Sequence, residues 1–196
     1  MCFSFIHRHF IKHLLQLPII NYKTNAYNTL TFSNKNDYQF GGTMNILVDA
    51  DACPVKQIIE KVAKEYHFPV FLYIDTSHQL YSDYSTIVTV SQSMDAVDFA
   101  LINALTKGDL VITQDYGVAT MALAKGAYCI HQSGKIYTND NIEQMLFERH
   151  LSKKQRMSKK TKSHSKGPKK RTLEDDVRFE TSLRKLIVDI VSNFES

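Results

Sequence analysis

The sequence predicts a doubly wound α/β domain: a three-layer fold with a mainly parallel sheet, helices on both faces and an additional C-terminal helix. Three observations lead there. From Met44 onward, short apolar runs alternate with segments of helical period. The runs are apolar throughout rather than alternating, as strands buried on both faces are. Pro and Gly stand where helices are expected to begin and end.

Taken in order, "NILVD" (45–49) is the first strand. Pro54 suits the first position of a helix, and Val55, Ile58, Ile59, Val62, Ala63 and Tyr66 recur at helical spacing to about His67. "PVFLYI" is the second strand, "DTSHQLYSDYS" a polar loop and "TIVTV" the third strand. Asp95 opens a helix that runs to Leu105, and Gly108 follows as its stop. "DLVIT" is the fourth strand, a helix follows Asp115 as far as Gly126, and "AYCIH" is the fifth. After the turn "SGK", "NIEQMLFERH" is a short helix. The last helix begins at Thr172, a good N-cap with Glu174, Asp175 and Asp176 in the first turn. Its stripe of Leu183, Leu186, Ile187, Ile190, Val191 and Phe194 should pack on the domain.

Four segments follow from this reading: an extension at 1–43, the α/β domain at 44–150, a basic linker at 151–171 and the final helix at 172–196. Residues 1–43 begin like a signal sequence, but Arg8, His9, Lys12 and His13 interrupt the apolar run. The rest of that segment is polar and has neither period. Gly41-Gly42 codons can spell GGAGG, a ribosome-binding sequence, just before Met44. The expectation is a non-native or disordered leader with Met44 as the true start. An intact mass that includes residues 1–43 in the native cell would contradict it.

Cys2, Cys53 and Cys129 have no metal-type spacing and suggest no disulfide framework, which fits a reduced cytoplasmic setting. No apolar run approaches the roughly 20 residues of a membrane span. The net charge of +4 hides an asymmetry. Residues 44–150 hold 7 Lys/Arg against 13 Asp/Glu, whereas residues 151–171 hold 10 Lys/Arg and no acid. Lys153, Lys154, Arg156, Lys159, Lys160, Lys169, Lys170 and Arg171 would bind phosphates and release counterions. The competing reading is a solvated linker. The acidic body beside it favours an arm that brings in a polyanion, probed first as RNA.

Parallel sheets bind ligands beyond the carboxyl ends of their strands. Asp49 ends the first strand, Asp51 follows in the loop and Asp115 follows the fourth strand. Asp95 and Asp98 open a helix and share a face. Capping alone explains any one of these acids. Together, Asp49, Asp98 and Asp115 would repel one another unless a hard cation intervenes, and Mg²⁺ or Mn²⁺ suits such oxygens. Two such ions about 4 Å apart activate a water and stabilise the leaving oxygen of a phosphodiester. Asp51, Asp95 and Thr113 would support the three ligands. Asp109 precedes its strand and lies on the other edge. Cys53 could be a thiol ligand, but a small residue before Pro more often serves backbone geometry. His131 reads as a polar strand terminus.

"ILVDADACPVK", "DAVDFALI", "GDLVITQDYGVATMALAKGA", "YTNDNI" and "KGP" together resemble the YaiI/YqxD family of uncharacterised bacterial proteins, over about Met44 to Phe194. That family in turn resembles the PIN-like nucleases through an Asp ending the first strand (Asp49), an acidic helix start (Asp98, with Asp95) and the pair Thr113 and Asp115. The resemblance implies divalent-metal-dependent hydrolysis of RNA or DNA, with Thr113 orienting a carboxylate or a water. Two other functions compete. One is a non-catalytic nucleic-acid or ribosome-associated binding module. The other is a phosphohydrolase of the haloacid-dehalogenase type, with Asp49 as nucleophile and Asp51 as acid/base. It lacks suitable Ser/Thr and Lys partners after the later strands. The sequence leaves the oligomeric state open.

Overall fold

The computed structural model describes residues 44–93, 95–158 and 169–194. The leader expected at 1–43 lies outside them. Six strands form one sheet: β1 Ile46–Asp49, β2 Val70–Asp75, β3 Thr86–Val90, β4 Leu110–Ile112, β5 Tyr128–Ile130 and β6 Ile136–Tyr137. Their order is β3-β2-β1-β4-β5-β6. The first five are parallel, and β6 returns antiparallel to β5. The chain builds outward from β1 to β3 on one side, then crosses back to place β4 on the other. The order therefore reverses between β1 and β4, and a crevice opens there beyond their carboxyl ends.

The helices are α1 Lys56–Tyr66, α2 Ala96–Ala104, α3 Tyr116–Ala124, α4 Asn139–Ser158 and α5 Leu173–Phe194. Strand side chains alternate between two cores, which makes the fold three-layered. Ile46, Val48, Leu72, Leu110 and Ile112 pack with Ile59 and Val62 of α1 and Phe179, Leu183 and Ile187 of α5. Leu47, Tyr73, Val111 and Cys129 face Leu101, Val118, Ala122, Ile142 and Met145 from α2, α3 and α4. Both faces of the sheet are covered, hence the uniformly apolar strands.

Several boundaries differ from the expectation. Pro54 precedes α1 rather than starting it, because the chain first turns through a Cys53 N–H to Ala50 C=O bond of 3.4 Å. The short helix expected after "SGK" is 20 residues long and continues to Ser158, so the first part of the predicted linker is helical. Strand β6 was not anticipated, since two residues carry no period. Gly134 makes its turn possible. It has φ +88°, and a Cβ there would meet Ser182 Oγ at 2.9 Å.

α5 packs on the sheet, and Phe179 joins its stripe. The side chain of Phe194 lies outside the described residues. Thr172 and Asp175 form a reciprocal cap: the Thr172 N–H donates to Asp175 Oδ2 (2.9 Å) and the Asp175 N–H to Thr172 Oγ1 (3.4 Å). Arg184 reaches both Glu65 oxygens from α5 (2.5 and 2.9 Å), and Glu180 meets Lys61 at 3.0 Å. Asp109, placed on the other edge by the sequence, is buried and accepts four hydrogen bonds from Asn45 and Thr106. It clips the start of β1 to the loop before β4.

Candidate functional site

The crevice between β1 and β4 is lined by carboxylates. Asp49 is the last residue of β1. Thr113, fully buried one residue past β4, donates its hydroxyl to Asp49 Oδ2 at 3.0 Å. The same hydroxyl oxygen accepts the Asp115 N–H at 3.0 Å. One side chain thus fixes the end of β1 relative to the entry of α3.

Asp115 caps α3. Its Oδ1 accepts the N–H groups of Gly117 (2.6 Å) and Val118 (3.3 Å). Gly117 is small for a reason, since a Cβ there would come 2.9 Å from that oxygen. Oδ2 lies 3.7 Å from Nη1 of Arg149 on α4. Arg149 also lies 5.2 Å from the centre of the Tyr116 ring.

Asp98 stands in the first turn of α2. Its pKa is pushed up to about 6, first by burial and then by the charges of Asp49, Asp115, Asp95 and Asp51. Asp49 is raised as well, again by burial first. The Thr113 hydroxyl opposes the shift, and Asp51 and Asp115 add to it. Elements far apart in sequence thus bring Asp49 and Asp98 close enough to the other acids to feel their charge. Asp95 contributes charge but does not cap: its backbone is left-handed (φ 59°), and its side chain bonds no N–H of the helix.

The tightest gathering of ligand-type atoms is a different one. Among the described residues, the group of three whose donor atoms all lie within 4.8 Å of one another is Asp51, Asp75 and His78. Asp49, Asp98 and Asp115 do not close to that degree, because Thr113 holds one of these carboxylates and the α3 N-terminus another. Asp75 and His78 were missed because they lie where the second strand passes into a loop read only as polar.

Cys53 is buried, and burial lifts its thiol to about 11, so it is neither a thiolate nucleophile nor a ready ligand at neutral pH. His131 serves the turn after β5, where its Nδ1 accepts the Ser133 N–H at 3.0 Å. Burial, then Arg171 and Lys135, lower its pKa.

The basic stretch divides. Lys154, Lys169 and Lys170 are exposed. Arg171 is not free for phosphate. It donates from Nε to Asp176, from Nη1 to the Gln132 carbonyl (2.8 Å) and from Nη2 to the Asp175 carbonyl (3.1 Å). It pins the end of the linker to the turn that follows β5. Lys159, Lys160 and the side chains of Lys153 and Arg156 lie outside the described residues. No helix among the described residues is long and apolar enough to cross a membrane.

Comparison with known proteins agrees with the resemblance read from the sequence. Residues 47–189 match the family described as "Uncharacterized BCR, YaiI/YqxD family". A UPF0178 protein of Lachnoclostridium phytofermentans is 62% identical over 149 residues, which is 76% of this chain and 100% of that protein. A UPF0178 protein of Clostridium acetobutylicum is 61% identical over 145 residues, 74% of this chain and 97% of its own length. One from Clostridium tetani is 49% identical over 144 residues, 74% and 97% of the two chains. No solved structure matches the chain. The chain belongs to the YaiI/YqxD family of uncharacterised bacterial proteins.

Proposed function

We propose that the protein is a divalent-metal-dependent nuclease of PIN-like type, with RNA as the first substrate to examine. The observation that carries this reading is the crowding at the β1/β4 crevice. Asp98 is pushed up to about 6 there by burial and by four other carboxylates. The donors at Asp49, Asp98 and Asp115 are all oxygens, which suits Mg²⁺ or Mn²⁺. Such an ion keeps several waters, so its carboxylates need not touch one another. When bound, it would neutralise the acids, activate water and stabilise developing phosphate charge.

The chain's own residues have the following roles. Asp49, Asp98 and Asp115 would hold the ion, with Asp51 and Asp95 adding to the negative field that attracts it. Thr113 sets the Asp49 carboxylate. Lys169 and Lys170, exposed beside the pinned Arg171, would meet the phosphates of a nucleic acid. The haloacid-dehalogenase alternative loses ground, since Asp51 Oδ1 lies 3.2 Å from both the Asp75 N–H and His78 Nδ1 instead of being free beside Asp49.

Labelled single-stranded RNA and DNA, incubated with the protein in Mn²⁺, Mg²⁺ or chelator, test the proposal. Cleavage that needs the ion and disappears in Asp49→Asn and Asp115→Asn is the expected result. Salt-sensitive binding without turnover would instead support a non-catalytic binding module.

A further inference from the structure

A second feature at the carboxyl edge shares Asp51 with the crevice acids and adds two residues outside them. Strands β1 and β2 are paired with Asp49 opposite Tyr73. Two residues further on, Asp51 has left β1 for the loop and lies beside Asp75, the last residue of β2. The Asp75 N–H donates to Asp51 Oδ1 at 3.2 Å, which ties the two chain segments together. The turn after β2 brings His78 back over both. Its Nδ1 lies 3.2 Å from Asp51 Oδ1 and 3.0 Å from Asp75 Oδ1.

We propose that Asp51, Asp75 and His78 form a site for a first-row transition-metal ion, of the Mn²⁺, Co²⁺ or Zn²⁺ kind, next to the crevice.

Proton counting argues for an ion. Ser77 Oγ donates to Asp75 Oδ1 and also lies 3.2 Å from His78 Nδ1. That nitrogen therefore faces three oxygens, two of them carboxylate, and it carries at most one hydrogen. Hydrogen bonding within the group leaves at least one close approach with no proton in it. A cation held by His78 Nδ1 and one oxygen of each carboxylate would take up lone pairs that no hydrogen reaches.

The spacing agrees. Neighbouring donors separated by 3.0 and 3.2 Å are adjacent corners of an octahedron with bonds of about 2.1–2.3 Å, close to metal–nitrogen and metal–carboxylate lengths. The donors are also held from behind. Asp75 Oδ1 accepts the Ser77 N–H at 2.7 Å and Asp51 Oδ1 the Asp75 N–H, so their orientation does not depend on the ion. One imidazole with two carboxylates selects borderline transition ions over Mg²⁺ or Ca²⁺, which favour all-oxygen sites. His78 is half exposed, which leaves room for water or a phosphate oxygen on the outer side.

The test is equilibrium dialysis of the full chain against Co²⁺, with the visible spectrum of the bound ion as a second readout. Wild type, His78→Ala, His78→Gln and Asp115→Asn are compared, and circular dichroism checks the fold. The expected result is that both His78 variants lose one Co²⁺ per chain and its absorption band, while Asp115→Asn keeps that ion. Occupancy unchanged in the His78 variants overturns the site, as does a folded wild type that takes up no Co²⁺. An ion lost only in Asp115→Asn overturns this site and leaves the nuclease reading standing. An ion lost only in the His78 variants supports this site and counts against metal binding in the crevice.

Discussion

Asp98 carries a carboxyl that burial and four neighbouring acids raise from 3.8 to about 6. The folded chain binds this proton more tightly than the unfolded chain does. The resulting contribution to stability is complete below the unfolded value and is lost as pH rises through about 6. Replacing the charge removes the repulsion. Asp98→Asn should therefore stabilise the metal-free protein at pH 7.5 and change little at pH 4. With solvent screening of this partly exposed group, the gain is on the order of 1 kcal/mol, or a few degrees in Tm. Thermal unfolding in chelator at the two pH values measures it. A variant less stable than wild type at pH 7.5 would mean that the acids do not strain one another. Asp49, Thr113 and Asp115 were legible in the sequence because strand ends in a parallel sheet share an edge. Asp75, His78 and Arg149 were not. What makes them neighbours of the site is the fold of one loop and the unexpected course of one long helix, and neither leaves a periodic trace.

At the scale of elements, the alternation of strand and helix could be read because burial on both faces forces uniformly apolar strands. The strand order could not, since the crossover from β3 to β4 depends on tertiary packing. The last helix was legible through its stripe, and its docking has a measurable consequence. Leu183 is fully buried against the sheet, whereas Leu173, on the same helix, is 82% exposed. Leu183→Ala should cost about 3 kcal/mol in urea unfolding, in the range for buried leucine truncation, and Leu173→Ala almost nothing. Equal effects would show that α5 does not hold this position. Gln132 and Arg171 add a polar link, since the guanidinium joins the start of α5 to the turn after β5. A residue counted by its charge as part of a nucleic-acid arm has, in three dimensions, the work of an anchor.

Across the whole molecule, an acidic body and a basic segment are joined in one chain. The exposed Lys169 and Lys170 adjoin Arg171, which is anchored to the turn after β5. If they meet phosphates, the Lys169→Gln/Lys170→Gln variant should bind single-stranded RNA more weakly. The slope of log K against log salt should then fall by about 0.7 for each phosphate that the variant no longer neutralises. A slope equal to that of wild type would assign these lysines to the solvent. The central claim is that the β1/β4 crevice holds a divalent cation, and calorimetric titration with Mn²⁺ addresses it most directly. The full chain and its Asp49→Asn/Asp115→Asn variant are compared at pH 7.5. The account predicts that the variant loses one binding event while keeping its fold. Identical isotherms for the two proteins would contradict it.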